Sequence, residues 1–290
     1  MRTIKAIHKA VYEPIVDLVT YRAMPTNTIA MNALDPFIFL NHHGRQDYLP
    51  HNHGLPFGPH PHRGFETVTF IIEGDLTHKD TSGANSVISS GGVQWMTAGS
   101  GIIHSEVSSE EFKSKGGPLE ILQLWVNLPA RKKMVSPKYI GLQKNEIPEL
   151  RLGDGKVIAH IVSGDWNSVK APVDPITDIH LALIEMKEGS EINFSVTSDK
   201  NILLYAVKGS IVVNDMEVRM HHLVEFNHDE GDIFIKAATD AIILFGYATP
   251  LHEPFVAYGP FVMNTKEEIM QAYDDYQKGK FGKEETLVES

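Results

Sequence analysis

The stretch Pro59-His-Pro-His-Arg-Gly-Phe-Glu-Thr-Val68 carries two histidines two positions apart, at the start of a β-type run. Further along, Gly99-Ser-Gly-Ile-Ile-His-Ser-Glu106 carries a histidine and a glutamate at the same spacing. Side chains two positions apart on a β-strand point to one face, so each pair can address one point in space. Two strands of one small barrel that each offer such a pair predict a metal site with three imidazoles and one carboxylate. The predicted ligands are His60, His62, His104 and Glu106.

This donor set suits a first-row divalent transition metal and leaves coordination positions open, where substrates react or ligands bind. Strand alternation alone leaves Glu66 as an alternative to Glu106 for the carboxylate ligand, because Glu66 would share a face with His60 and His62. The chain holds 15 histidines among 290 residues, so one His-x-His pair has little meaning by itself. Two pairs separated by a strand-like segment and glycine-rich turns favour a metal site over histidines in surface loops.

Two other histidine pairs do not fit this pattern. His51 and His53 lie in Pro50-His-Asn-His-Gly-Leu-Pro-Phe-Gly-Pro59, where proline and glycine interrupt a strand and face parity does not apply. His42 and His43 are adjacent and would point to opposite faces of a strand. We expect both pairs to lie in loops near the mouth of the site.

Short runs rich in valine, isoleucine, threonine and aromatic residues dominate the chain and end at glycine, asparagine, aspartate or proline. They predict an all-β sandwich or barrel rather than alternating βα units. One helix is predicted at about 266–278, because Thr265 and Glu268 can form a capping box and Gly279 can end the helix. The clearest β-type runs are 65–72, 119–128, 179–186, 201–207 and 241–247.

The composition disfavours several classes of function. Lysine and arginine total 26 against 37 aspartates and glutamates, and the net charge of -11 disfavours direct binding to nucleic acid or to an anionic membrane surface. The absence of cysteine excludes disulfides, iron–sulfur clusters and thiol catalysis. The sequence shows neither a signal-peptide pattern nor an apolar run long enough to cross a bilayer. We therefore expect a soluble protein of the cytoplasm, or of the nucleus if the source is eukaryotic.

The motifs resemble those of the cupin superfamily and, much more closely, those of the pirin family. The resemblance extends over about residues 35–265, which is nearly the whole chain. It implies two cupin-type β-barrels in tandem, a bicupin, with the metal in the N-terminal barrel. The stretches that carry the resemblance are Pro59-His-Pro-His-Arg-Gly-Phe-Glu-Thr-Val68, Gln94-Trp-Met-Thr-Ala-Gly-Ser-Gly-Ile-Ile-His-Ser-Glu106, Gln123-Leu-Trp-Val-Asn-Leu-Pro129 and Tyr258-Gly-Pro-Phe-Val-Met-Asn-Thr265.

Chain length also favours two domains. A lysine-rich segment at 129–148 contains three prolines, has no sustained periodicity and marks the break. We predict an N-terminal metal-binding barrel at 1–135, a linker at 136–150 and a C-terminal barrel at 151–290 that ends in the helix. The C-terminal barrel is predicted to hold no metal, because its histidines lack the spacing of ligand pairs. These histidines are His180, His221, His222 and His228.

The resemblance also implies roles for the two glutamates. In pirins the carboxylate ligand lies two residues after the third histidine, and here that residue is Glu106. Glu66 is then placed beside a ligand imidazole that it could orient. The family expectation is one iron(II) per chain, with nickel, manganese, cobalt, copper and zinc as the alternatives.

Several pirins are described as quercetin dioxygenases, and the resemblance implies a small aromatic, flavonol-like substrate that reacts with O2. Glu106 is the expected proton acceptor, after which the ring opens and carbon monoxide leaves. Trp95, Met96 and Trp125 are candidates for an apolar wall against a planar substrate, and packing in the barrel core is the equal alternative for them.

A second hypothesis is non-enzymatic. Some pirins are described as regulatory proteins that sense a metal or its redox state and bind a protein partner, either a metabolic enzyme or a transcription factor. Both hypotheses use the same site, so the sequence does not separate them. A zinc hydrolase with the same ligands fits less well, because catalytic zinc usually has three protein ligands and one water.

Overall fold

The computed structural model describes residues 1–166 and 169–287. Strands dominate this part of the chain, and the prediction of an all-β fold with a helix near the C-terminus is confirmed. Among the described residues, no helix has the length and apolar character that a membrane span requires. The helices are α1 (Glu110–Lys115) and α2 (Lys266–Gln277), with 3-10 turns at Ala130–Lys132, Lys144–Glu146 and Glu284–Thr286.

The strands in chain order are β1 (Ile4–Lys9), β2 (Val11–Tyr12), β3 (Thr20–Met24), β4 (Phe37–Tyr48), β5 (Phe57–His62), β6 (Phe65–Glu73), β7 (Asp75–Asp80), β8 (Asn85–Ser89), β9 (Val93–Thr97), β10 (Ile102–Val107), β11 (Gly117–Asn127), β12 (Lys138–Leu142), β13 (Glu149–Leu152), β14 (Val157–Ser163), β15 (Asp165–Trp166), β16 (Val169–Lys170), β17 (His180–Met186), β18 (Glu191–Ser195), β19 (Asn201–Lys208), β20 (Ser210–Val213), β21 (Met216–Arg219), β22 (His222–Phe226), β23 (Asp232–Ala237), β24 (Ala241–Ala248), β25 (Val256–Tyr258) and β26 (Phe261–Met263).

The chain folds into two compact units that interleave along the sequence. The first, which we call the apolar barrel, takes Met1–Tyr12, Tyr21–His42 and Asn145–Leu251. The second, which we call the histidine barrel, takes Glu13–Thr20, His43–Lys144 and the described residues from His252 onward.

The apolar barrel contains two antiparallel sheets, with strand orders β1-β22-β19-β24-β17-β14-β13 and β18-β23-β20-β21. Strand β1 reaches this unit by pairing with β22, in a register that sets Ile7 opposite Val224. Apolar side chains that alternate along the strands fill the interior, as expected for a sheet with one buried face. These include Ile161, Ala182, Ile184, Leu204, Ile243 and Phe245.

The histidine barrel contains the sheet β5-β10-β7-β8 and, in a second sheet, the neighbouring strands β12-β9-β6-β11. Thr69 of β6 lies opposite Gln94 of β9 and Gln123 of β11. Residues directly opposite in antiparallel strands share a face, so these polar side chains form one row. We call the face that holds this row the site face; its members include Thr67, Thr69, Gln94, Met96, Gln123 and Trp125.

Helix α2 begins and ends close to where the sequence predicts. Thr265 accepts a hydrogen bond from the Glu268 amide, and the Glu268 carboxylate accepts one from the Thr265 amide, which completes the predicted capping box. Ile269 and Ala272 are buried and belong to an apolar cluster within the histidine barrel. The other buried members of this cluster are Ile103, Phe261, Met263, Phe281 and Leu287.

The observed units therefore differ from the predicted domains at 1–135 and 151–290. The chain start joins the apolar barrel, and α2 joins the histidine barrel instead of ending the second barrel. The predicted linker at 136–150 contains strand β12, whose Tyr139 lies opposite Met96. Proline and lysine content marks a local break in the chain, but pairing between strands far apart in sequence decides which unit a segment joins.

Candidate metal centre

Strands β5 and β10 bring three histidines together. In their antiparallel pairing, His104 lies opposite His60, and Ile102 lies opposite His62. Because opposite residues and residues two apart share a face, the three imidazoles point to the same side. One donor nitrogen from each ring lies within 4.8 Å of the other two. Across residues 1–166 and 169–287, this is the one group of three or more histidine or acidic side chains close enough to hold a metal ion.

Backbone carbonyls fix the orientation of two of these rings. The Nδ1 atom of His60 lies 2.7 Å from the Gly58 carbonyl oxygen, and Nδ1 of His62 lies 3.1 Å from the Pro260 carbonyl oxygen. A carbonyl can only accept, so each Nδ1 carries the proton and donates it. In the neutral ring this tautomer leaves Nε2 unprotonated, so Nε2 is the atom that each of these histidines can offer to a metal.

Burial keeps two of the imidazoles, those of His62 and His104, neutral. It lowers the pKa of His62 from 6.5 to about 3, with the charge of neighbouring His60 acting in the same direction. Burial and three neighbouring histidines hold the pKa of His104 well below its ordinary value. Metal binding requires the neutral form of histidine, so the site favours the binding form at neutral pH.

The spacing of the nitrogens fits a metal ion. Nε2 of His104 lies 3.0 Å from Nε2 of His60. Two nitrogen donors at right angles, each about 2.1 Å from one ion, are separated by about 3.0 Å. The Nδ1 atom of His104 is buried without a hydrogen-bond partner, so its proton can move there and free Nε2 as the third donor. The donor set present is therefore suited to a divalent transition metal.

Glu106 lies on the same strand as His104, but its carboxylate is not in the group of three donors. It accepts hydrogen bonds from Thr69 at 3.2 Å, from Gln123 at 2.8 Å and from Gln94. Strand β10 keeps an unbroken register with β7 from His104 to Val107, so Glu106 shares a face with His104, and the irregularity in the pairing with β5 lies in β5. The carboxylate is 1% exposed and is held on the site face by uncharged donors.

The structure corrects the placement of Glu66. It lies opposite Thr97, and Thr69 lies opposite Gln94 in the same strand pair, so Glu66 is on the face opposite the site face. The Thr97 hydroxyl donates to its carboxylate at 2.6 Å, and burial raises the pKa of Glu66. Glu66 is therefore bonded to Thr97 and does not orient a ligand imidazole.

The three candidates for an apolar wall lie on different faces of the sheet. Trp95 lies opposite Val68, on the face away from the site, which contradicts its assignment to the pocket. Met96 is on the site face and fully buried. Trp125 is half-buried on the site face and meets His62 edge-on, with ring centroids 5.6 Å apart. Of the three, Trp125 is the aromatic side chain beside the histidines.

A second layer of polar side chains, not predicted from the sequence, lies beside the histidines. His78 is fully buried on β7, its ring centroid is 5.4 Å from that of His104, and its Nε2 atom lies 2.9 Å from the Asp80 carboxylate. Tyr139 stacks on His78 at 4.0 Å, and burial raises the pKa of Tyr139 to about 12. The His-x-Asp spacing of His78 and Asp80, which places both side chains on one strand face, was the feature of the sequence that could have indicated this layer.

The two other histidine pairs have different outcomes. His51 and His53 are exposed and lie outside the strands, as predicted. His42 and His43 are fully buried within β4, so their assignment to a loop is wrong. Nδ1 of His43 lies 2.8 Å from the Thr20 hydroxyl. The apolar run that begins at Phe37 continues as a strand through both histidines.

The lowered pKa of His62 predicts how the metal-free protein responds to acid. Below pH 6.5 the unfolded chain protonates this imidazole, whereas the folded chain does so only near pH 3. The unfolded state therefore binds more protons in this window, and the free energy of unfolding falls as the pH falls through it. Urea unfolding of metal-free protein at about pH 7 and about pH 5 should show a smaller loss in His62→Gln than in the wild type. Equal losses would contradict the neutral state of buried His62.

Comparisons with known proteins agree with this architecture. The chain matches the pirin family model over residues 18–126 and the model of the pirin C-terminal cupin domain over residues 181–282. A Pseudomonas aeruginosa protein that carries the provisional name quercetin 2,3-dioxygenase is 35% identical over 268 residues, 92% of each chain. A pirin-like protein of Solanum lycopersicum is 39% identical over 253 residues, 86% of this chain and 82% of the relative.

A solved structure supports the same assignment. The crystal structure of a quercetin 2,3-dioxygenase from Acinetobacter baumannii superposes with a TM-score of 0.91. The two proteins are 32% identical, and the match covers 97% of this chain and 99% of the other. The chain therefore belongs to the pirin family, whose members are bicupins.

Proposed function

We propose that the chain is a metal-dependent dioxygenase that opens the ring of a flavonol such as quercetin with O2 and releases carbon monoxide. The observation that carries the proposal is the convergence of three imidazole donors, of which His62 and His104 are held neutral by burial. The 32% identical Acinetobacter baumannii protein, named quercetin 2,3-dioxygenase, supports the choice of reaction.

In this proposal His60, His62 and His104 hold one divalent metal, and Glu106 supplies the fourth donor. Imidazole with carboxylate suits several first-row metals, and iron(II) is our assignment. An ionised carboxylate has about four lone-pair positions. Three of those on Glu106 accept hydrogen bonds within the barrel, and the remaining one serves either a metal or a proton.

The ligand assignment predicts which histidines control metal retention. His62→Ala and His104→Ala should each lose the metal, because each removes a donor from a site that the fold has already assembled. Elemental analysis of protein loaded with iron(II) under anaerobic conditions should find one ion per wild-type chain and close to none in either variant. His51→Ala and His53→Ala are the matched controls and should retain the wild-type metal content. Near-stoichiometric metal in His62→Ala or His104→Ala would contradict the assignment.

The residues of the site suggest how the reaction would proceed. A bound divalent cation would favour deprotonation of the flavonol 3-hydroxyl group beside the carbonyl. Glu106 would leave the metal and accept that proton on the lone pair that this frees. Its hydrogen-bond donors, Thr69, Gln94 and Gln123, are uncharged and orient the carboxylate. Trp125 provides an aromatic surface for the planar substrate. Overall, both atoms of O2 are added and one ring carbon leaves as carbon monoxide.

An aerobic assay with quercetin tests this proposal directly. Metal-loaded wild-type protein should bleach the near-visible absorption of quercetin and release one carbon monoxide per quercetin consumed. His104→Ala, treated identically, should do neither, because it lacks a metal donor. A fully loaded wild-type protein that leaves quercetin unchanged would contradict the dioxygenase and favour the non-enzymatic, metal-sensing alternative.

The two glutamates should respond very differently to an isosteric change. Glu106→Gln should weaken metal binding and lower turnover on the order of 100- to 10,000-fold, because an amide cannot accept the substrate proton near neutral pH. Glu66→Gln should keep turnover close to the wild type, because a glutamine oxygen can still accept the hydrogen bond from Thr97. Steady-state turnover and metal affinity of both variants check this. Loss of metal in Glu66→Gln with retention in Glu106→Gln would reverse the assignment.

A further inference from the structure

A backbone carbonyl far along the chain orients one of the histidine donors. Nδ1 of His62 donates to the carbonyl oxygen of Pro260, 198 residues further on, at 3.1 Å. Pro260 lies between β25 and β26, in the part of the histidine barrel that follows the last strand of the apolar barrel. Metal-binding histidines commonly use their second nitrogen in this way, and the partner fixes the direction in which the ligand nitrogen points.

The backbone around Pro260 is bound directly to the segment that follows His62. The Val262 amide donates to the Arg63 carbonyl oxygen at 3.0 Å, and the buried Lys133 ammonium donates to both the Gly64 and Val262 carbonyl oxygens. Gly64 has φ +87°, and a Cβ atom there would lie 2.0 Å from the Val262 carbonyl oxygen. Only glycine permits this approach without displacement of one of the two segments.

The side chain of Arg63 extends the contact to helix α2. Arg63 is 4% exposed, and its Nη1 atom donates to the Asp275 carboxylate at 2.8 Å. Its Nε atom donates to the Ser100 carbonyl oxygen at 2.7 Å, and its guanidinium lies 4.5 Å from the ring centroid of Phe281. A buried ion pair with these additional partners has a defined geometry, and loss of one member leaves the other charge buried without its counterion.

From these contacts we propose that Asp275 is a positioning residue for the metal centre. It anchors Arg63 to α2, and this anchor keeps the Pro260 carbonyl in place to orient His62. The proposal rests on the metal site of the proposed function. This role of Asp275 couples metal binding to the docking of α2. The affinity for the metal and the stability of the docked helix then increase each other by the same factor. None of these α2 contacts touches the metal donors directly, which distinguishes positioning from ligation.

The test compares Asp275→Asn with Asp274→Asn on the same helix. Asp274 is half-exposed and pairs with Lys278 at 2.6 Å, so its change removes an ion pair of α2 without touching Arg63. Titration of each metal-free full-length variant with iron(II) should show a dissociation constant raised about 10–100-fold in Asp275→Asn and unchanged in Asp274→Asn. Equal dissociation constants for the two variants would overturn the proposal.

Hydrogen exchange of the wild type provides a second measurement that does not depend on how well a variant folds. Metal addition should slow exchange at the Val262 amide and along α2, because binding at His62 strengthens the docking of Pro260. Exchange in α2 that is identical with and without metal would overturn the positioning role while leaving the metal site intact. Failure of the wild type to bind metal at all would overturn both this inference and the proposed function.

Discussion

Three imidazole nitrogens held close together, two of them on buried neutral rings, are the constraint around which the histidine barrel is organised. Burial disfavours the charged forms of His62 and His104, so neither can relieve the crowding of lone pairs by taking up a proton near neutral pH. The pairing of β5 with β10 sets the spacing, and the Gly58 and Pro260 carbonyls set the ring directions. A divalent cation is the partner that best satisfies such a group.

A buried carboxylate, that of Glu106, lies on the site face, and its hydrogen-bond donors are all uncharged. Glu106 is buried and accepts hydrogen bonds from two glutamines and a threonine on the site face. Neutral donors support a buried carboxylate while leaving its charge available to a metal or a proton. Residues late in the chain also contact this region, because the Pro260 carbonyl accepts a hydrogen bond from His62 and the Asp275 carboxylate accepts one from Arg63. The centre thus draws on chain segments separated by more than half of the sequence.

The spacing of residues close in sequence predicted that the three histidines converge and that α2 forms. It could do so because the alternation of side chains along a strand and the capping of a helix depend on only a few residues. Parity failed where the backbone changes direction. The turn at Gly64, with φ +87°, separates β5 from β6, so the face of His62 does not carry over to Glu66. Between His104 and Glu106 the strand is continuous, and the two residues share a face. The interleaved units were not predictable, since β1 joins β22 and α2 joins the histidine barrel through contacts between distant residues.

X-ray absorption at the metal edge of the loaded wild-type protein is the sharpest test of ligation by His60, His62 and His104, because it reports the ligand set independently of activity. Ligation by these three histidines and Glu106 predicts a first shell of nitrogen and oxygen donors at about 2.0–2.2 Å, with the outer-shell scattering of three imidazole rings. A shell composed of oxygen donors with one imidazole or none would show that the three histidines do not hold the metal.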